Sequence, residues 1–239
     1  MKTSGKLMLI LGGFVLVLII LSAVFVRSSV RKVLSINKTD ISGEMNTDRK
    51  AENFAVENFD TIKLSGLWAV NITRGEEYSV KIDAPAYIFD KISVNNSGRI
   101  LEIQMEKSTV FGFSNNEIRL DVTCPALKKL SADGASAITV KGFDEASMEV
   151  DLGGTVSVKG ESNSLGRLVL NADGAFSFDF SKSQAVNASV FIDGAGSVKL
   201  TMNGGVLDGE INGIGSLEYY GPVSGENVRK NGLASVKHK

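Results

Sequence analysis

The chain has 239 residues, with 26 basic against 27 acidic side chains and a net charge of −1. That length suits one large domain with a minor appendage, and the charge balance lacks the clustered basic face of a nucleic-acid binder, so no nucleic-acid partner is expected. With 25 glycines, 3 prolines, one cysteine and one histidine, turns are made by glycine, an intrachain disulfide is impossible, and zinc sites built from several Cys or His are excluded by count.

Residues 1–6 read as a cytoplasmic tail. Residues 7–26, Leu7 to Val26, contain no charge and are dominated by Leu, Ile and Val. Twenty helical residues rise about 30 Å, the hydrocarbon thickness of a bilayer, so the segment is predicted to be a transmembrane helix and a signal anchor. Lys2 and Lys6 would also suit a cleaved secretory signal, but the apolar run is long for one and no Ala-x-Ala site or lipobox cysteine follows. Cations flank both ends (Lys2 and Lys6; Arg27, Arg31 and Lys32), so charge asymmetry barely orients the span. The short leading tail favours a cytoplasmic N-terminus, with the bulk of the chain periplasmic or extracellular. Residues 27–52 form a linker; from Val33 to Glu52 it is polar, without a period.

From Phe54 the pattern turns to period-two alternation. Thr61–Gly66, Ala69–Thr73, Tyr78–Ile82, Ile100–Met105 and Ile118–Val122 each alternate polar and apolar, as strands do. Ala84–Val94 is the most helical segment, and Pro85 opens it for one or two turns at most. Cys124 reads as a small apolar side chain in a strand.

A glycine-centred repeat then returns about every twenty residues. The Asx-Gly anchors are Asp133-Gly134, Asp173-Gly174, Asp193-Gly194, Asn212-Gly213 and Asn231-Gly232; in a further copy Leu152, after Asp151 and before Gly153-Gly154, takes the glycine's place. Four residues past the anchor come Ile138, Val156, Phe178, Val198, Leu217 and Val236. Six past it come Val140, Val158, Phe180, Leu200, Tyr219 and His238. Matching chemistry at matching phase is what stacked parallel strands require, because each residue lies about 4.8 Å above its counterpart. Residues 53–239 are therefore predicted to be an all-β, parallel β-helix-like solenoid with rungs of about 20 residues. Gly66 with Val70 and Ile72 suggests one more rung near the start. The Asx-Gly column reads as a repeated corner, Asx bonding nearby backbone and Gly accepting φ > 0. The segment before the repeats is expected to cover one end of the stack, and Arg229, Lys230, Lys237 and Lys239 to guard the other.

Phe59–Gly66, Val70-x-Ile72-x-x-Gly75, Cys124-Pro125-Ala126-Leu127, the serial Gly-Ala-x-Ser motifs and Gly215–Pro222 together resemble a bacterial family of envelope proteins, the auto-transporter adhesin head GIN domain. The resemblance runs from about Phe54 to the C-terminus. It implies a right-handed β-helix-like fold and an exported or membrane-anchored protein; the adhesin name implies adhesion, and the family pattern defines no catalytic residues.

No catalytic, cofactor-binding or metal residue is assigned, and no cofactor is expected. The Asp column could hold Ca²⁺ between stacked carboxylates, but Asx-turn bonding accounts for it and Asn fills two of the positions. His238 lies second from the end, which disfavours a Ser-His-Asp or Cys-His site. Asp144, Glu145, Glu149 and Lys159 are the carboxylates and cation that a polysaccharide-cleaving β-helix could use; nothing marks them above ordinary surface charge. Phe176, Phe178 and Phe180 alternate as a buried face would, whereas Phe111 and Phe113, beside Ser114-Asn115-Asn116, are the better sugar-stacking candidates. Asn-x-Ser/Thr triplets at Asn37, Asn71, Asn95 and Asn187 are short enough to arise by chance. The expected function is a non-catalytic, membrane-anchored binding or scaffold module meeting a cell-surface or periplasmic protein or polysaccharide. The alternatives are a self-associating, bactofilin-like structural polymer and, third, a polysaccharide-active enzyme.

Overall fold

Residues 48–106 and 118–239 are the part of the chain that the computed structural model describes. The predicted tail, the transmembrane segment 7–26, most of the linker, and Phe111 and Phe113 lie outside them. Among the described residues no helix is long and apolar enough to cross a membrane.

The described residues are all-β. Their strands are β1 (Arg49–Phe54), β2 (Thr61–Arg74), β3 (Ser79–Pro85), β4 (Ile92–Ser97), β5 (Ile100–Met105), β6 (Arg119–Cys124), β7 (Lys129–Lys141), β8 (Asp144–Ile192), β9 (Ala195–Met202), β10 (Val206–Ile211), β11 (Ile214–Tyr220), β12 (Gly225–Lys230) and β13 (Leu233–His238). All join one sheet whose main order is β1-β3-β6-β2-β7-β8-β9-β11-β13. Ala84–Val94 resolves into a 3-10 helix over Ala86–Lys91, preceded by Pro85, and then β4. The helix is short because Ile92 is already extended (φ −104°, ψ 128°).

From β7 onward the pairing is parallel and in register with the repeat. Ile138 pairs with Val158, Phe178 with Val198, Val198 with Leu217, and Leu217 with Val236. All of these are buried except Val236, which is half-buried. The predicted inner columns exist, and each fully buried aliphatic or aromatic member contributes about 1.5–3 kcal/mol of transfer free energy. The early unit is present too: Gly66 pairs with Gly134, Val70 with Ile138 and Ile72 with Val140, so β2 and β7 run side by side despite their separation in sequence.

One copy sits two residues away from the predicted alignment. Ala132 pairs with Leu152 and Ile138 with Val158, so the counterpart of Gly134 is Gly154, not Leu152. Leu152 is an inward residue of the column that includes Ala132 and Ala172. The error was invisible to alternation, because a shift of two residues keeps every side chain on its own face of a strand. Corrected, the Asx position of this copy is Gly153, and the position paired with Val140 is Gly160. Gly160 is small for a packing reason: a Cβ there would stand 2.6 Å from the Phe180 ring.

The glycine column is tighter than a turn preference explains. Gly134 (φ +107°) and Gly154 (φ +75°) hold left-handed backbone, but Gly194, Gly213 and Gly232 do not. At these three a Cβ would run into the carbonyl oxygen of the glycine below, Gly174, Gly194 and Gly213 in turn. Close approach of successive corners therefore selects glycine all along the column. The β8 run of 49 residues folds back through these corners, since Gly174 abuts Gly154 in the same way. A second, buried corner is polar: Asn163 Oδ1 accepts the Phe143 N–H (3.0 Å), and Asn163 Nδ2 donates to the Val140 carbonyl (2.9 Å) and to Ser183 Oγ (2.9 Å). Sequence reading did not single it out.

The segment before β7 pairs differently. β3 runs antiparallel to β6, β1 to β3 and β4 to β5. Residues Arg49–Glu52, read as linker, belong to β1. Polar composition hid this strand; it is held by backbone pairing and by Arg49, whose Nε donates to Asp83 Oδ1 (2.9 Å). Asp60 fastens this segment to the repeats. Its buried carboxylate takes Arg99 (2.5 Å) and Lys128 (3.1 Å), and its carbonyl accepts the Lys128 N–H (2.8 Å). Burial pushes the Asp60 carboxyl up, but hydrogen bonds and charge from Arg99 and Lys128 outweigh it and hold the group below the usual carboxylate value.

Candidate functional site

Because pairing is in register, outward side chains also form columns, and one stands apart. Along the stack Ser131 pairs with Asp151, Asn171 Nδ2 donates to Asp151 Oδ1 (2.8 Å), Phe191 pairs with Glu210, and Glu210 pairs with Arg229. Within this polar column Phe191 is an aromatic ring left 43% exposed. The β8 alternation turns it outward: Val190 and Ile192 on either side are buried.

Grooves lie on both sides of Phe191. One, of about 340 Å³, is lined by Asp133, Asp151, Asn171, Asp173 and Asp193 among others, and by no basic side chain. The second, of about 600 Å³, is lined by Arg167, Ser189, Asp208, Glu226, Asn227 and Arg229 with Phe191. Several of these groups are held in place. Arg167 donates to Ser189 Oγ (2.8 Å), Arg229 pairs with Glu210 (3.0 Å), and Glu226 Oε2 accepts from the Tyr219 hydroxyl (2.5 Å). That bond raises the Tyr219 pKa. Burial pushes the Asp151 carboxyl up, but Asn171 and Lys129 outweigh it and hold it low; Lys129 is raised in turn by its bonds to Asp151 (2.7 Å) and Glu149 (3.0 Å). Both grooves are shallow and open to solvent, so they can hold a ligand against the surface without excluding water from a reacting bond.

The predicted site residues fall elsewhere or into structural roles. Glu145 accepts the Leu127 N–H (3.0 Å), Glu149 pairs with Lys129, Lys159 flanks Asp179, and Asp144 is exposed. Phe176, Phe178 and Phe180 are buried, the last two stacked at 4.3 Å. His238 stacks on Tyr219 at 4.6 Å. Burial pushes the Cys124 thiol up to about 12, so it stays protonated and inert. Asn71 donates to Asp121 and Asn187 accepts the Val206 N–H. In the Asx column Gly153 breaks the run of carboxylates, and from Asp193 onward the side chains bond along the stack: Asn212 donates to Asp193 (2.8 Å) and Asn231 to Asn212 (3.0 Å). Among the described residues no cluster of three or more His, Cys, Asp or Glu could hold a metal ion. Phe191 was missed, although aligning the column would have exposed one aromatic among Asp, Asn, Glu and Arg.

An all-β sheet of in-register copies with an open outer face defines a repeat-built β protein. The chain belongs to the family described as "Putative auto-transporter adhesin, head GIN domain", whose model matches residues 58–238. Among solved structures, a "putative adhesin" from Bacteroides fragilis NCTC 9343 shares the fold with a TM-score of 0.62 at 15% identity, over 80% of this chain and 97% of that one. A "Putative lipid binding protein" from Parabacteroides distasonis ATCC 8503 aligns at 16% identity with a TM-score of 0.48, covering 80% and 98% of the two chains. A "putative adhesin" from Parabacteroides merdae ATCC 43184 aligns at 15% identity with a TM-score of 0.44, covering 80% and 97%. No curated protein matches the chain.

Proposed function

We propose that the protein is a non-catalytic binding module tethered in the bacterial envelope. Residues 7–26 span the membrane, and the β domain stands on the periplasmic or extracellular side as a right-handed parallel β-helix. The observation that carries this reading is the division of labour between columns. Inward columns are filled by apolar groups, while the acids and bases picked out as catalytic candidates are tied to structural partners or solvent-facing. What remains is an unenclosed face carrying one exposed ring and many hydrogen-bonding groups, which suits recognition of a surface. Its family membership, under an adhesin name, supports the same reading.

Topology and binding test it together. A phosphatase reporter fused at the C-terminus is expected to be active and a cytoplasmic reporter there inactive. The purified full chain in detergent micelles is expected to co-sediment with lipid-free cell-wall material, which offers the membrane span nothing to enter. The opposite reporter pattern, or a chain that stays in the supernatant, would overturn it.

A further inference from the structure

We infer that the face centred on Phe191 is a carbohydrate-binding site for a neutral or N-acetylated glycan; this rests on the reading of the chain as an envelope binding module. Phe191 is outward and 43% exposed in a column otherwise occupied by Asp151, Asn171, Glu210 and Arg229. It adds nothing to the inner columns, and an isolated flat ring amid polar groups is the surface on which the apolar C–H face of a pyranose stacks. On either side lie the partners that sugar hydroxyls and acetamides need: Asp173, Asp193 and Asn171 in one groove, Asp208, Asn227 and Arg167 in the other. Carboxylates accept from hydroxyls, amides both donate and accept, and the guanidinium donates.

Charge narrows the ligand. Lys129 balances Asp151, but the first groove also carries Asp133, Asp173 and Asp193 with no basic lining residue. The second sets Arg167 and Arg229 against Asp208 and Glu226, so the face as a whole is acidic and disfavours uronic-acid polymers, phosphates and anionic lipid headgroups. A cation is no better served, because Gly153 interrupts the acidic column, Asn212 engages Asp193, and no three-ligand cluster occurs among the described residues. Geometry points the same way. Outward groups recur along the stack at about 4.8 Å, comparable to the advance of one sugar unit in an extended glycan. The open grooves continue past Phe191 in both directions, so a chain of several sugars can lie along the stack with one ring on the phenyl.

The test uses the full chain in detergent micelles against neutral tetrasaccharides of glucose, mannose, galactose and N-acetylglucosamine, with tetragalacturonate as the acidic counterpart. At least one neutral probe is expected to bind at millimolar or lower concentration, and tetragalacturonate is not. Phe191→Ala is expected to weaken binding about tenfold and Phe191→Trp to retain it. An unchanged melting temperature in both variants shows that folding is intact. Wild-type chain that binds none of the neutral probes, binds tetragalacturonate equally well, or loses nothing on Phe191→Ala would overturn the inference. If Phe191→Ala still co-sediments with the lipid-free wall material as the wild type does, the carbohydrate site falls while the envelope-binding reading stands. If the wild type itself fails to co-sediment, that reading falls.

Discussion

The segment before β7 and the repeats after it share one sheet but solve the problem of pairing in opposite ways. From Lys129 onward each strand finds a partner about twenty residues away, parallel, with like over like. Before it, β1, β3 and β4 pair antiparallel with partners of unrelated sequence, and β2 reaches β7 across 68 positions, as in the pair Thr61 with Lys129. Repetition makes a core out of columns, so a residue's neighbours are its own homologues. In the earlier segment only β2 joins such columns, parallel to β5, β6 and β7; the rest relies on antiparallel pairing and on particular contacts, such as Asp60 with Arg99 and Lys128.

Two substitutions sharpen this contrast. The larger effect is expected in the repeats, where Gly194→Ala would drive a methyl into the Gly174 backbone, whose O, N and C atoms all lie within 2.9 Å of it with no flexible group to yield. We expect about 3 kcal/mol of destabilisation by urea titration. Gly98, in the β4–β5 turn, is the opposite case: its φ of +60° is left-handed, but a Cβ there meets nothing within 4 Å. Gly98→Ala is expected to cost about 1–2 kcal/mol from backbone strain alone. A loss at Gly194 no larger than at Gly98 would mean that the neighbouring backbone gives way and that close approach does not select glycine in the column.

The smaller effect is at the junction. Asp60→Asn keeps the side-chain shape but removes the charge facing Arg99 and Lys128, and we expect a loss of about 1–2 kcal/mol at neutral pH. Both cations are largely exposed and regain water, which keeps the loss modest. The sign with pH follows from the depressed native pKa. The contribution is fully present above the unfolded carboxylate value of about 3.9 and disappears as pH falls through the lower native value. Wild type and Asp60→Asn should therefore converge in stability as pH drops below about 4. Curves that stay parallel down to pH 2 would show that the Asp60 charge contributes nothing to the docking.

How much of this was legible in the sequence depended on whether the determinant was local. The alternation, the glycine anchors and the inner columns from Phe178 through Val198 to Leu217 could be read directly, because each copy restates the same constraint. The register of the copy at Gly154 could not, since Leu152 and Gly154 are two apart and alternation scores both alike. β1 was hidden because Arg49–Glu52 carry no apolar rhythm; their order comes from β3. The Asn163–Ser183 corner and the Asp60 clamp depend on partners 20 and 39 residues distant, which no window on the sequence connects. Phe191 was readable in principle, but an exposed ring is recognised only once its column is known to face outward.

The return of β2 to the sheet has a kinetic corollary. Closing 68 residues costs about 1 kcal/mol more chain entropy than closing 20, so the repeats can assemble from near contacts while β2 arrives late. Trp68, the sole tryptophan, is buried on β2. In a refolding jump its fluorescence should lag behind the far-ultraviolet circular dichroism of the repeats; coincident traces would mean that both segments assemble in one concerted event.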